Sequence, residues 1–391
     1  MMRKLLTLLA PIVLVLLLEA LFEGGVWEPL ALPASHAGTS VRLKRALTDP
    51  AIPRIDYVTL GSSRPEYGID HALLADAAKQ RGRIHADLTM PGTHWMTIGV
   101  LTRWLQREHP EIRGGIVALS IADLANPGNG SYELGIVQPF RQLVDTPWIA
   151  EHVPLQSADV ATYGTYSALF DWRADIQDFV RHPLARMDPI DWYKANRPAS
   201  RILFENPESD GDMCAFGIDA LTDCANVDAS TDPKNDGLKR QCTDLRSIAA
   251  GHVDFRSRMQ LQPLPEFMRK ARDLVQAQLR QTHWPQPPLV VLMPVPRIWT
   301  RDVLGPGLHE WALAILQPLA DQGHIHLVDA TEFFDADGDS ACHLFFDFFH
   351  QNAAGRDRFT RWLLPQVKSL LYQDAGGQHA SPSPGHEHAV P

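Results

Sequence analysis

Short apolar runs alternate with amphipathic helical stretches toward both ends of this chain, and that alternation restricts the fold more than any other feature. Strand-like runs fall at 55–60, 83–90, 115–121, 288–295 ("PLVVLMPV") and 325–330. Helical periodicity falls between them, at 71–80, 95–107, 266–281, 309–322 and 354–371. Strands separated by helices return in the same direction and pair in parallel rather than as hairpins. The expected fold is α/β, a three-layer sandwich with a five-stranded parallel sheet between helices. In such sheets, reactive groups gather at the carboxyl ends of the strands.

The alternation stops in the middle of the chain. Residues 126–262 carry prolines, aromatics, acidic groups and three cysteines without clean periodicity, and "NPESDGDM" and "STDPKNDG" have loop composition. This stretch is expected to be an insertion or cap, partly helical around 167–180. It divides the sheet domain into a first part, 51–125, and a second part, 263–372. Residues 25–50 read as a juxtamembrane linker, and 373–391 as a disordered tail.

Residues 1–24 suggest a compartment. Arg3 and Lys4 precede an 18-residue run, 5–22, whose only charge is Glu19. That length is near the minimum for a transmembrane helix with its basic end in the cytoplasm, so an uncleaved signal anchor is expected. A cleaved signal peptide is the rival reading, with Ser35-His36-Ala37 as a distant cleavage site. Either places the body in the periplasm or extracellular space. Cys214, Cys224, Cys242 and Cys342 match no zinc spacing and suit disulfides there; three pairings, or unpaired buried thiols, remain open. The net charge of −10, with no block rich in lysine and arginine, argues against a nucleic-acid partner.

The first strand ends in Gly61-Ser62-Ser63-Arg64, small polar residues that pack poorly in a core. A serine delivered there becomes a nucleophile only if a base removes its proton and a third group orients the base. "FFDFFHQNAAGR" supplies Asp347 and His350, spaced to share one turn before the last helix, with phenylalanines on either side to exclude water.

Taken in order, the strand ending in Gly-Ser-Ser, the glycine Gly92 after the second strand, and the Asp-x-x-His before the last helix resemble the SGNH (GDSL-like) hydrolase superfamily, whose sheet is flavodoxin-like. The resemblance covers roughly 55–125 and 285–370. It is closest to the Gly-Ser-Ser branch, which includes DltD-like proteins and extracytoplasmic acyltransferases of envelope polysaccharides. It implies Ser63 as nucleophile, His350 as base and Asp347 as its orienting acid. It also implies an oxyanion hole from the backbone at Ser63 and Gly92, plus an asparagine of the third block. Here the chain departs from the family: "ALSIADLAN" offers Ser120 or Asp123, and Asn126 lies too far along.

Arg64, His94 and Arg297 are expected substrate contacts, each with an ordinary surface role as its alternative. "DADGDS" (335–340) lacks the glycine and glutamate placement of a calcium loop, and His324-x-His326 lacks a third ligand, so no metal site is expected. No cofactor is required. The resemblance implies acyl transfer or hydrolysis, acetyl above all, on a cell-surface polymer, beside a multi-spanning membrane acyltransferase. A general esterase or lipase and a non-catalytic scaffold of envelope-polymer assembly are the alternatives.

Overall fold

Helix α1 (Met2–Glu23) leads into α2 (His36–Thr48), which precedes the sheet. The first strands and helices follow as β1 (Tyr57–Gly61), α3 (Ser63–Gly68), α4 (His71–Lys79), β2 (His85–Asp87), α5 (Trp95–Glu108) and β3 (Gly114–Leu119). The middle of the chain includes α6 (Gly130–Val137) and α7 (Pro183–Asn196) among shorter helical turns. The sheet then resumes with α8 (Glu266–Arg280), β4 (Leu289–Leu292), α9 (Leu308–Asp321), β5 (His326–Asp329) and α10 (Ala353–Leu370). The computed structural model describes residues 2–125, 130–152, 166–196, 199–218, 220–251 and 253–372. Asn126 and the 373–391 tail lie outside the described residues.

All five strands are parallel, in the order β2-β1-β3-β4-β5. The strands sort their side chains with a period of two. Val58, Leu60, Val117, Leu119, Val290 and Leu292 pack on one face, against α2, α5, α8 and α9. Tyr57, Ile116, Ala118, Leu289 and Val291 pack on the other, against α4, α10 and the Asp236–Ala250 helix of the middle region. Both faces are covered, which is why the strands read as continuous apolar runs. The chain turns outward from β1 to β2 and then crosses back to β3, leaving a crevice at the carboxyl ends of β1 and β3.

His85 on β2 bonds Thr59 Oγ1 at 2.8 Å through Nε2 and the Tyr372 hydroxyl at 2.6 Å through Nδ1. Burial drives His85 and its neighbour His71 down to about 3, so both rings are neutral at ordinary pH.

Several expectations change. Residues 25–50 are not a plain linker, because α2 buries Leu43, Ala46 and Leu47 in the core. The helix expected around 167–180 is two helices, Ala168–Asp171 and Arg173–Arg181, meeting at the buried Trp172. Among the described residues, no helix is long and apolar enough to cross a membrane. Glu19 bonds the Ser167 hydroxyl and, at 3.3 Å, the Leu169 N–H, so the end of the apolar run is docked on the body.

The cysteines pair as Cys214–Cys342 and Cys224–Cys242. The first ties the middle region to the segment just before Asp347, across a sequence separation of 128. Closing so long a loop removes much freedom from the unfolded chain. The Cys214→Ser/Cys342→Ser variant is expected to lose about 4 kcal/mol of stability in urea unfolding. An unchanged midpoint would show that the bond contributes nothing.

Candidate active site

Gly61 ends β1 at φ 156°, where a Cβ would stand 2.4 Å from the Ala118 carbonyl oxygen. Only glycine lets β1 run this close to β3 and then turn at once into α3. Ser62 is the N-cap and Ser63 the first helical residue, so the Ser63 N–H has no intrahelical acceptor. The side chain of Ser63 points into a cleft of about 210 Å³ lined by Ser62, Arg64, Gly92, Thr93, His94, Asp123, Phe349 and His350.

His350 reaches this cleft from a turn that it shares with Asp347, as their spacing suggests. Phe345 and Gln351 form an antiparallel bridge, and Phe346 N–H donates to the His350 carbonyl at 3.1 Å. The turn that Asp347 and His350 share is therefore the tip of a tight hairpin just before α10. Asp347 Oδ1 accepts the N–H groups of Phe349 at 2.7 Å and His350 at 2.8 Å, which closes the tip. The same carboxylate reaches His350 Nδ1, at 2.9 Å from Oδ2. With Nδ1–H committed to the acid, Nε2 faces Ser63 Oγ at 2.8 Å.

The imidazole is held by aromatic rings. Phe346 stacks on it at 5.4 Å between centroids and Tyr67 lies tilted at 5.0 Å. The base of the hairpin is anchored by Asn352, which caps α10 through the Ala354 and Gly355 N–H groups and donates to the carbonyls of Gly211 and His343. The Cys214–Cys342 bond lies beside these contacts.

Trp299, just past β4, was not singled out by sequence reasoning, yet it joins the two halves of the site. Its Nε1–H donates to the Phe348 carbonyl at 2.5 Å, and the Arg64 guanidinium lies 4.6 Å from its ring centroid. A tryptophan after a strand carries no local signal of this; its role comes from the neighbours that the sheet brings to it. Arg64 also pairs with Asp123 at 3.6 Å, and its side chain is only 12% exposed. Burial lowers its pKa, while the Asp123 and Asp347 carboxylates oppose that shift and keep it charged.

Gly92 lies in the cleft wall at φ 72°, a left-handed turn that suits glycine and leaves its N–H without a hydrogen bond among the described residues. Next to it, Thr93 Oγ1 donates to the Gly61 carbonyl at 3.0 Å, tying this turn to the end of β1. His94 caps α5 and also lines the cleft. Its Nδ1 is buried without a hydrogen-bond partner, and burial lowers its pKa, keeping the ring neutral.

Ser120 does not join the site. It is fully buried, its N–H donates to Asp123 Oδ2 at 2.8 Å, and Asp123 instead occupies the cleft. Arg297 is also absent from the cleft lining. It pairs with Asp339 at 3.0 Å and lines a separate hollow with Arg301 and Cys342. Asp337 of the "DADGDS" stretch is likewise paired, with Arg358 at 2.8 Å. Asp212, Cys214 and His343 gather within 4.8 Å of one another, but the disulfide takes the Cys214 sulfur that a metal would need.

The chain matches no family model and no curated protein.

One carboxyl behind the site, that of Glu133 on α6, is fully buried. It accepts Thr97 N–H and Thr97 Oγ1, both at 3.0 Å, and so caps α5 where the Gly92–His94 turn enters it. Burial pushes Glu133 up to about 8, against 4.5 in an unfolded chain. A raised acid contributes fully below its unfolded value and loses that contribution as pH rises through its folded value. Glu133→Gln, which stays neutral, should therefore lose less thermal stability than the parent between about pH 5 and 8.5. Parallel Tm–pH curves would rule out this buried proton.

Proposed function

We propose that the protein is a membrane-anchored, extracytoplasmic serine enzyme of the SGNH type that transfers or hydrolyses short acyl esters, acetyl above all, on a cell-surface polymer. The observation that carries this reading is the continuous line from Asp347 through His350 to Ser63, with contacts of 2.9 Å and 2.8 Å. These are the geometry and order of groups that serine activation requires.

Ser63 Oγ attacks the ester carbonyl while His350 Nε2 takes its proton. Asp347 holds the ring in the tautomer that leaves Nε2 free and offsets the imidazolium charge that then forms. The negative charge on the carbonyl oxygen is met by the N–H groups of Ser63 and Gly92. The neutral His94 ring is the third donor, in place of the asparagine that the chain lacks. Collapse of the tetrahedral intermediate expels the alcohol, which leaves with the proton from His350. A second hydroxyl, from water or a sugar, gives its proton to His350, attacks the Ser63 ester and carries off the acyl group, while His350 returns the proton to the departing Ser63 Oγ.

The shape of the cleft favours a small acyl group. Its volume of about 210 Å³ is below the usual range for drug-sized ligands, and Phe349 is its one large apolar wall. A lipase would need a longer apolar trough. Arg64 is already paired with Asp123 and stacked on Trp299, so it acts by bracing the turn after Ser63. On the family resemblance, a multi-spanning membrane acyltransferase hands over the acyl group.

The extracytoplasmic setting is supported by two disulfides and by the basic flank, Arg3 and Lys4, that precedes the apolar run. With Glu19 docked on the body, residues 3–18 would extend about 24 Å into the bilayer.

A fluorophosphonate probe should label the detergent-solubilised chain at Ser63 and fail to label Ser63→Ala. Hydrolysis of p-nitrophenyl acetate should drop roughly 10⁶-fold in Ser63→Ala and roughly 10⁴-fold in Asp347→Asn, and should exceed that of the palmitate ester. An unlabelled parent protein would leave only the scaffold reading.

A further inference from the structure

A second concavity, of about 170 Å³, opens five residues beyond the end of α1. The 28–33 segment, α2 and α7 build it, with Val41 and Ile190 among its apolar walls. Three cations converge there, Arg42, Arg45 and Lys194, beside the ring of Tyr193. That is unusual in a chain of net charge −10.

The lining of this pocket holds more cations than acids. Glu28, the one acid in its lining, is already paired with Lys44 at 2.6 Å. Arg45 makes no ion pair with any described acid, and the nearest carboxylate to Lys194 is Asp191, at 3.8 Å with both side chains more than half exposed. Arg42 lies 5.0 Å from the centroid of Tyr193. A pocket of this kind has a net positive field and apolar sides, which suits an anion carrying a hydrocarbon portion.

Its position indicates which anion. On α1, the six consecutive residues Ile12, Val13, Leu14, Val15, Leu16 and Leu17 are each 51–63% exposed. At about 100° per residue they cover the whole circumference of the helix. No groove of a partner protein could cover every side, whereas lipid can. The helix is also fixed to the body, by Glu19 to the Ser167 hydroxyl and by Glu23 Oε1 to the Leu143 N–H at 2.8 Å. Around this foot Leu143, Val144 and Tyr166 are each about 60% exposed. The chain from Glu23 to Glu28 spans at most about 17 Å and is folded back by Val26 N–H donating to the Leu21 carbonyl. The cationic pocket is thereby held near the headgroup layer.

We propose that this pocket binds the phosphate of an anionic phospholipid in the leaflet from which the body emerges. The shared chemistry is a phosphate ester or phosphate anion, with Arg45 and Lys194 meeting its charge and Val41 and Ile190 facing the adjoining glycerol and acyl carbons. Bound there, the headgroup fixes the height and tilt of the body on the membrane, and with them the presentation of the Ser63 cleft. The inference rests on α1 being a membrane anchor and is independent of the catalytic reading.

Native mass spectrometry of the full chain, released from neutral detergent micelles doped with phosphatidylglycerol or phosphatidylcholine, tests it. The parent should retain one phosphatidylglycerol with at least a roughly ten-fold preference over phosphatidylcholine. Each cation near an anionic surface is worth about five-fold, so Arg45→Gln/Lys194→Gln should abolish the preference. Near-UV circular dichroism verifies that this variant is folded. Equal retention of the two lipids, or an unchanged preference in the variant, overturns the proposal. Displacement of the lipid by millimolar inorganic phosphate, with the same dependence on Arg45 and Lys194, assigns the site to free phosphate and overturns the lipid. Flotation of the full chain with phosphatidylcholine vesicles after carbonate extraction tests the anchor separately: chain that floats but shows no headgroup preference refutes the pocket alone.

Discussion

A hydrogen bond joining residues 287 positions apart is only as well defined as the two backbone segments that hold its ends. At Ser63 the constraint is steric. Gly61 passes so close to Ala118 that any side chain would collide, and the turn that follows has no room to drift. At His350 the constraint is a hairpin closed at its tip by Asp347 and at its base by Asn352, with the Cys214–Cys342 bond alongside. Trp299 then binds the two segments to each other through Phe348 and Arg64. Each end is fixed several times over, which is how a short contact survives the entropy that opposes it.

Asp347 illustrates how few groups the arrangement needs. One carboxylate closes the hairpin with two backbone N–H groups and also orients the imidazole. Loss of this side chain would therefore disturb the shape of the turn and the tautomer of His350 together. Asp123 works in a similar double way, accepting the Ser120 N–H while pairing with Arg64. The segment after β3 thus supplies a brace for Arg64, the residue next to Ser63. In the proposed chemistry the third oxyanion contact is His94, whose buried, unpartnered Nδ1 is otherwise unexplained.

The middle region contributes to the site through its backbone and its cysteine rather than through reactive side chains. The Gly211 carbonyl, the Met213 N–H and the Cys214 sulfur all meet the segment 342–352. The N-terminal segments are equally integrated: α2 belongs to the core, and Glu19 and Glu23 lock the foot of α1 to the body. The foot of α1, α2 and the body that carries the cleft therefore form one connected framework.

Much of this was legible from residue order. Alternating apolar runs and helical periodicity determine a parallel α/β sheet, because side-chain periods of two and 3.6 admit few other packings. A Gly-Ser-Ser at a strand end and an Asp-x-x-His before a helix are each ordinary turn and cap material, and it is their order along the chain that points to the residues that meet. Tertiary structure decided the rest. It chose the cysteine pairing, put Asp347 and His350 on a hairpin, buried Ser120, turned Arg297 toward Asp339, and gave Trp299 its place between Arg64 and Phe348. The physical reason is the same in each case. Local preference specifies the direction and periodicity of a segment, whereas the partner of a side chain at a strand end depends on which distant segment the sheet order brings beside it.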